Sequence, residues 1–419
     1  MPIFSRTSNM DASNDPAPAP DQQIARIAEM RIVHEAMAWF RRNEHKIAAR
    51  QMEVTAIPAP PFGEEQRSRW IRARFEELGL TDVHRDELGN VFGIRPGLDS
   101  SAKFLAVSAH IDTVFPEDSV IEVHRDGERL EGPGICDNGV GVASLLALAS
   151  ALEETHVQHR NPIVFIANVG EEGEGDLRGM RHIFAQARWR ENIERVLVLD
   201  GAGMDSIIAE GLGSRRFEVT VEGPGGHSWS DFGVPNPIVA LGRAIEKLSS
   251  TTLPDSPKTT FNIGVISGGT SVNSIPQSAF MRVDLRSAAS EEIDRLEAAL
   301  RAAVDDAVDE TYGSIRGRSK LTYEIRMVGN RPSADLPPNA LLLKTLRAVD
   351  AHLNIRAKVN RASTDANIPL SLGIEALAIG GGGAGGGAHT LHEWFEPAGR
   401  DLALKRILLT TLALTGVSE

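Results

Sequence analysis

Five side chains of metal-binding type are scattered along the chain: His110, Asp137, Glu172, Asp200 and His389. A further carboxylate, Glu171, directly precedes one of them. Imidazole and carboxylate groups suit borderline or hard divalent ions, and this set can hold two ions if one carboxylate bridges. A glutamate left outside the ligand set is what an activated water needs as its base. These residue types therefore point to a two-metal hydrolase.

Each member also has a plainer reading. In His110-Ile111-Asp112, positions i and i+2 of an extended segment share a side, so Asp112 can accept the spare N–H of His110 and raise its basicity. Asp137, in GPGICDNGVGVA, lies just before an apolar helix and could instead cap it. Glu171 and Glu172 follow the run VFIANV, where adjacent like charges are costly unless cations neutralise them. Neighbouring side chains alternate in direction, so Glu172 is assigned to metal and Glu171 to the base; a solvated acidic turn is the alternative. Asp200 ends VLVLD and could cap a turn before Gly201.

His389 follows GGGGAGGGA, and His392 competes with it as the last ligand. Gly381, Gly383 and Gly386 spell a dinucleotide-type glycine pattern, but AHTLHEWFE lacks the apolar helix that would receive a pyrophosphate. The glycines read instead as backbone passing close to substrate and metal. Cys136, the single cysteine, reads as a small buried hydrophobe rather than a thiolate ligand. His227, in EGPGGHSWSDFG, reads by itself as a satisfied surface histidine.

The elements that must position these residues are visible as apolar patterns. Residues 24–80 look helical, with a break at IPAPP. Residues 104–113, 162–172 and 195–201 read as buried strands, and residues 139–154 as a helix with an apolar, small-residue surface. Alternation of this kind implies a doubly wound α/β domain, with active residues at the carboxyl ends of the strands. From residue 213 the pattern changes to half-exposed strands and amphipathic helices, in the order of a small α+β sandwich. The expected organisation is a tail over 1–23, a catalytic α/β domain over 24–212 and 330–419, and an inserted α+β domain over 213–329. A Pro-rich return over 331–338, a helix, a strand at 376–379, the glycine loop and a final helix complete the chain.

Composition narrows the function classes. With 419 residues the chain is long enough for two domains. A net charge of −13 argues against a nucleic-acid binder, which needs a basic face. No apolar run is long enough for a membrane span, and the N-terminus has no secretory apolar region. One cysteine permits no internal disulfide, which fits the reducing cytoplasm.

The ordered motifs SAHIDTVFP, GPGICDNGVGVA, VGEEGEG, VLDG, GGHSW, NSIPQSAFMRVDLR and AHTLHEWFE resemble those of the M20 family of dizinc peptidases and deacylases. Its peptidase T-like and glutamate carboxypeptidase-like members are the most similar in pattern. The resemblance implies that His110 and Asp200 hold one metal, Glu172 and His389 the other, and Asp137 bridges. It makes Asp112 the carboxylate behind His110 and Glu171 the general base. It implies that His227 reaches from a partner subunit to polarise the scissile carbonyl, so that the inserted domain is a lid and the seat of a homodimer. Asn273 and Arg286 match residues that hold substrate, and the Asp137–Asn138 peptide is expected to be cis. Two divalent ions follow, zinc first, with cobalt or manganese as alternatives. The implied activity is cleavage of small peptides in the manner of a di- or tripeptide aminopeptidase. N-acyl amino acid deacylation and carboxypeptidase action are the alternatives within the family, and a non-catalytic metal- or peptide-binding protein is the alternative outside it.

Overall fold

The computed structural model describes residues 20–311 and 320–418. Most of the expected tail, residues 1–19, lies outside the described residues. Its last residues are helical rather than tail-like, because Pro20–Glu29 forms a helix that buries Ile24 and Ile27. That apolar pair packs the helix against Leu341–Leu353 and Arg400–Thr415, and the Gln23 side chain donates to the Ala413 carbonyl at 3.2 Å.

Among the described residues the largest sheet has nine strands. Its centre is parallel: Ile163–Asn168, Phe104–His110, Ile193–Leu199 and Glu375–Ile379 lie side by side in that order. These runs are almost wholly buried, as strands covered by helices on both faces must be. Antiparallel strands flank the centre. Thr81–Arg85 and Val91–Arg95 add on one side, and Ser206–Gly211 on the other. Lys358–Ala362 and Ala334–Asp335 both pair with Ser206–Gly211. The helix Gly139–Glu154 matches its expected span, and nearly all of its residues are buried. Its glycines, alanines and serines let it lie close to the sheet. The expected α/β architecture is therefore present as a mixed sheet whose parallel core carries the topology of interest.

A second, four-stranded antiparallel sheet has the order Thr259–Gly268, Ser278–Ser287, Gly213–Glu222, Thr322–Arg331. The helices Pro237–Ser249 and Ser290–Glu310 pack on one face of it. Phe217, Val219, Met281, Val283 and Leu285 form a core of their own with Leu241, Leu296 and Leu300. The opposite face carries no helix among the described residues and presents Arg216, Glu218, Arg282, Asp284 and Arg286. The period-two alternation of strands puts them there. This bare face is turned toward the nine-stranded sheet: Arg282 meets Glu174 at 3.1 Å, and Arg216 donates to the Gly173 carbonyl at 2.8 Å.

Candidate metal centre

The parallel strands deliver their carboxyl ends to one place. His110 is the last residue of Phe104–His110, and Asp200 directly follows Ile193–Leu199. Glu171 and Glu172 lie a turn beyond Ile163–Asn168. Asp137 enters from the loop ahead of helix Gly139–Glu154, across a cis Asp137–Asn138 peptide as expected. His389 enters from the C-terminal loop with φ 67. Asp137 is not the helix cap. Asn138 caps instead, accepting from the Gly141 N–H at 3.1 Å, and its amide also donates to the Leu199 carbonyl at 2.9 Å. Asn138 thereby ties the Asp137 loop to the Asp200 loop.

The ligand-type atoms form linked groups. His110, Asp137 and Asp200 offer atoms within 4.8 Å of one another, as do Asp137, Glu172 and His389. A third such group joins His110, Glu171 and Glu172. Asp137 belongs to the first two, and its two oxygens face different histidines: Oδ1 is 3.1 Å from His110 Nε2, and Oδ2 is 3.2 Å from His389 Nε2. His389 Nε2 is also 3.1 Å from Glu172 Oε1, and His110 Nε2 is 3.7 Å from Asp200 Oδ1. Tetrahedral ligands that stand about 2.0–2.1 Å from a shared ion are themselves about 3.3 Å apart. The observed spacings are of that kind. Asp137 Oδ1 is buried and makes no hydrogen bond among the described residues, which suits an oxygen meant for a cation. His392 belongs to none of these groups.

The electrostatics agree with that fit. Burial pushes the Glu172 carboxyl up to about 7, and the neighbouring Asp137 charge adds to the effect. His389 is raised to about 9, chiefly by its hydrogen bond to Asp137. Burial opposes a charge on His110, yet Asp112, Asp137 and Asp200 hold its pKa well above the ordinary value. Glu171 is fully buried, and desolvation lifts its pKa well above the carboxylate range against the pull of Arg331. Carboxylates crowded in this way repel one another, and divalent cations between them would remove the repulsion.

Residues around the cluster hold it in place. Asp112 stands behind His110, with its backbone carbonyl 3.2 Å and its carboxylate 3.6 Å from His110 Nδ1. That carboxylate also accepts the Glu171 and Glu172 backbone N–H groups at 2.9 and 2.8 Å. Glu393, a buried residue of the AHTLHEWFE motif, accepts the backbone N–H of Gly134, Cys136 and Asp137 at 2.9, 2.7 and 2.6 Å. Arg331 donates to Glu171 Oε1 at 3.0 Å and to its carbonyl. Buried Arg67 donates to the Ile111 carbonyl at 2.7 Å, between His110 and Asp112. Asp365 is buried beside the cluster, takes a 2.7 Å hydrogen bond from Asn168, and is pushed up to about 7 by burial. The sequence reading missed Glu393, Arg331, Arg67 and Asp365. Glu393 alone had a local signal, its place four residues after His389.

A cavity of about 600 Å³ opens over the cluster, lined by His110, Asp137, Glu171, Glu172, Asp200 and His389 together with Arg216, Arg286, Arg331 and Arg361. Arg286 is thus brought to the site by its place on the bare sheet face. His227 and Asn273 are not brought there. They sit on a separate two-stranded ribbon, where His227 pairs with Ser274 and Ser228 donates to the Asn273 carbonyl. His227 is exposed there, with its backbone held by Asp231 at 2.8 Å. The glycine run also packs tightly against protein. A Cβ on Gly383, whose φ is +65, would meet the Glu396 carbonyl at 2.5 Å, and one on Gly385 would meet Cys136 Sγ at 2.4 Å. The Cys136 thiol is pushed up to about 12 by burial, so it carries no thiolate charge.

Comparison with known proteins places this arrangement. The sequence model described as Peptidase family M20/M25/M40 matches residues 106–412. A succinyl-diaminopimelate desuccinylase of Burkholderia pseudomallei is 27% identical over 252 residues, which is 56% of this chain and 66% of that protein. The chain thus spans just under two thirds of the length of this relative. Among solved structures, an aminopeptidase PepT from Bacillus cereus superposes with a TM-score of 0.70 at 19% identity, covering 89% of this chain and 99% of that one. A tripeptidase from Staphylococcus aureus gives 0.72 at 19%, covering 88% and 98%. A Bacillus subtilis protein described as a dinuclear metal-binding peptidase of the M20 family gives 0.64 at 17%, covering 89% and 99%. At these identities the structural likenesses establish the fold.

Proposed function

Because the chain belongs to peptidase family M20/M25/M40, we propose that it is a two-metal hydrolase of the amide bond in small peptides or N-acyl amino acids. The observation that carries this reading is the Asp137 carboxylate, which stands between His110 and His389 with one oxygen toward each. His110, Asp137 and Asp200 would hold one divalent ion, and Asp137, Glu172 and His389 the other, with zinc as the leading candidate and cobalt or manganese as alternatives. When bound, such ions polarise a carbonyl and lower the pKa of a water toward neutrality.

The protein's own residues supply the rest. Glu171 accepts the proton of the attacking water and passes it to the leaving amine. Its buried setting raises its proton affinity, and Arg331 fixes its orientation through two hydrogen bonds. Asp112 holds the backbone of the Glu171–Glu172 turn, from which both carboxylates reach the cavity. Arg286 offers a guanidinium to a substrate carboxylate.

The unit over 213–329 is read as a lid that also forms a homodimer. Supporting this, Trp229, Phe232 and Val272 are strongly exposed on the loops that flank His227 and Asn273, and Ile266 lies exposed on the edge strand Thr259–Gly268. His227, which does not line the cavity of its own chain, is then read as serving the partner's. No helix among the described residues is long and apolar enough to cross a membrane, and a cytoplasmic site of action remains part of this reading.

A panel of di- and tripeptides beside N-acetyl and N-succinyl amino acids, with zinc, cobalt or manganese added, tests the function. Metal-dependent release of an amino acid that a chelator abolishes is the expected result. No hydrolysis of any member, by protein that binds metal, would contradict it.

A further inference from the structure

We propose that Arg216 and Arg286 form a two-anion subsite, so that the substrate is an acidic amino acid joined through its α-amine to an acyl or peptidyl group, with both of its carboxylates held on the lid sheet. This rests on the hydrolase reading above and narrows it to a substrate class.

The register of the sheet makes the pair. Arg216 lies opposite Asp284, and Ser214 lies opposite Arg286. The two arginines are therefore diagonal neighbours on the bare face, about 7–8 Å apart at the backbone and within reach of one ligand. A single carboxylate serves both. Asp284 accepts from Arg286 Nε at 2.6 Å and from Arg216 Nε at 3.4 Å. Arg216 Nη1 also donates to the Gly173 carbonyl at 2.8 Å, which holds it above the turn bearing Glu171 and Glu172. Neither Nη of Arg286 and not Nη2 of Arg216 has a protein partner among the described residues. Two guanidinium groups against one carboxylate leave one positive charge in excess, with donors free for bidentate contact.

The rest of the cavity supports the same class. Arg331 is tied to Glu171, and Arg361 to Asp335 and Glu210, so these two hold the wall rather than a ligand. The lining carboxylates Asp137, Glu171, Glu172 and Asp200 are all taken up by the proposed ions and the base. None remains to neutralise a free α-ammonium group. The apolar lining is limited to Val114, Leu212 and Ala362, too little surface to hold a large hydrophobic side chain. An amine-blocked, doubly anionic substrate fits that lining; a peptide read by its amino terminus does not.

The test compares N-acetyl-L-glutamate, N-acetyl-L-glutamine and glycyl-L-glutamate on the metal-loaded protein. The expected kcat/KM for N-acetyl-L-glutamate exceeds that for the glutamine isostere by about tenfold or more, the size of one lost charge-assisted contact, and is no lower than that for glycyl-L-glutamate. Arg216→Gln should collapse the glutamate preference. Arg286→Gln, whose parent side chain hydrogen-bonds only Asp284 among the described residues, should do the same without releasing Gly173. A ratio near one in the parent protein, or one preserved in both variants, would overturn the subsite. Calorimetric binding of N-acetyl-L-glutamate and N-acetyl-L-glutamine to protein carrying Glu171→Gln, which is expected to turn neither over appreciably, separates this from the hydrolase reading. Glutamate preference lost in both variants supports the subsite even without turnover, and equal binding of the two overturns it even if hydrolysis occurs.

Discussion

The buried carboxylate of Glu393 accepts the backbone N–H of Asp137 at 2.6 Å. The same short segment therefore contributes His389 to the cluster and holds the loop that presents Asp137. Outer contacts of this sort are typically worth about 10–100-fold in metal affinity. Glu393→Ala should weaken metal binding by that order and lower the melting temperature, since three buried N–H groups lose their acceptor. Glu393→Gln, which keeps one carbonyl oxygen, should fall between. Calorimetric titration with zinc checks this, and parent-like affinity in Glu393→Ala would remove the positioning role.

Glu171 is assigned to proton transfer rather than to metal. Glu171→Gln should keep the parent's metal stoichiometry while kcat falls by about 10²–10⁴ or more. Loss of a bound ion in this variant would instead make Glu171 a ligand.

The role read for His227 can be separated from its own chain's site. Glu171→Gln and His227→Ala are each expected to be inactive as pure proteins. Mixed under conditions that exchange subunits, they should recover part of the activity, because one composite site would have both groups. No recovery from demonstrably mixed dimers would count against action across subunits.

Far from the site, Arg406 and Asp350 are joined by two hydrogen bonds of 2.5 and 2.6 Å with Arg406 fully buried. They link Leu341–Leu353 to Arg400–Thr415. Asp350→Asn should destabilise by about 3–5 kcal/mol, since it leaves a buried charge unpaired. The double change Asp350→Leu with Arg406→Met should recover much of that loss in denaturant unfolding. A single variant as stable as the parent would show that the pair contributes nothing.

Buried His159 supplies a pH dependence. Burial lowers its pKa below the ordinary value, although Nδ1 contacts the Asn161 carbonyl at 2.7 Å. The folded state then binds fewer protons than the unfolded one, so stability is lost as pH falls below about 6.5, the unfolded value. Between pH 7 and 5 the melting temperature of the parent should fall more steeply than that of His159→Gln. Parallel curves would refute this.

Much of the site was legible because buried strands announce themselves. The apolar runs before His110, Glu171 and Asp200 ended where polar residues began, and a parallel sheet gathers such ends. Asp112 is legible as a carboxylate two residues from His110, but its further bonds to the Glu171 and Glu172 backbone N–H groups carry no sequence signal. Arg331 and Asp365 were illegible for a related reason. They lie in segments without apolar periodicity, and their contacts span well over a hundred residues of sequence. The flanking strands Val91–Arg95, Ser206–Gly211 and Lys358–Ala362 were missed because they are short and partly polar, and sheet pairing rather than pattern defines them. The helix at Pro20–Glu29 was cut short by reading a Pro/Ala-rich stretch as tail, when Ile24 and Ile27 already marked its buried side.

The count of divalent ions bound per chain tests the central claim most directly. Metal-reconstituted protein should hold two ions, and Asp137→Ala, which removes the carboxylate shared by both groups, should fail to hold the pair. Two ions retained without Asp137, or no ion bound by the parent, would contradict the account.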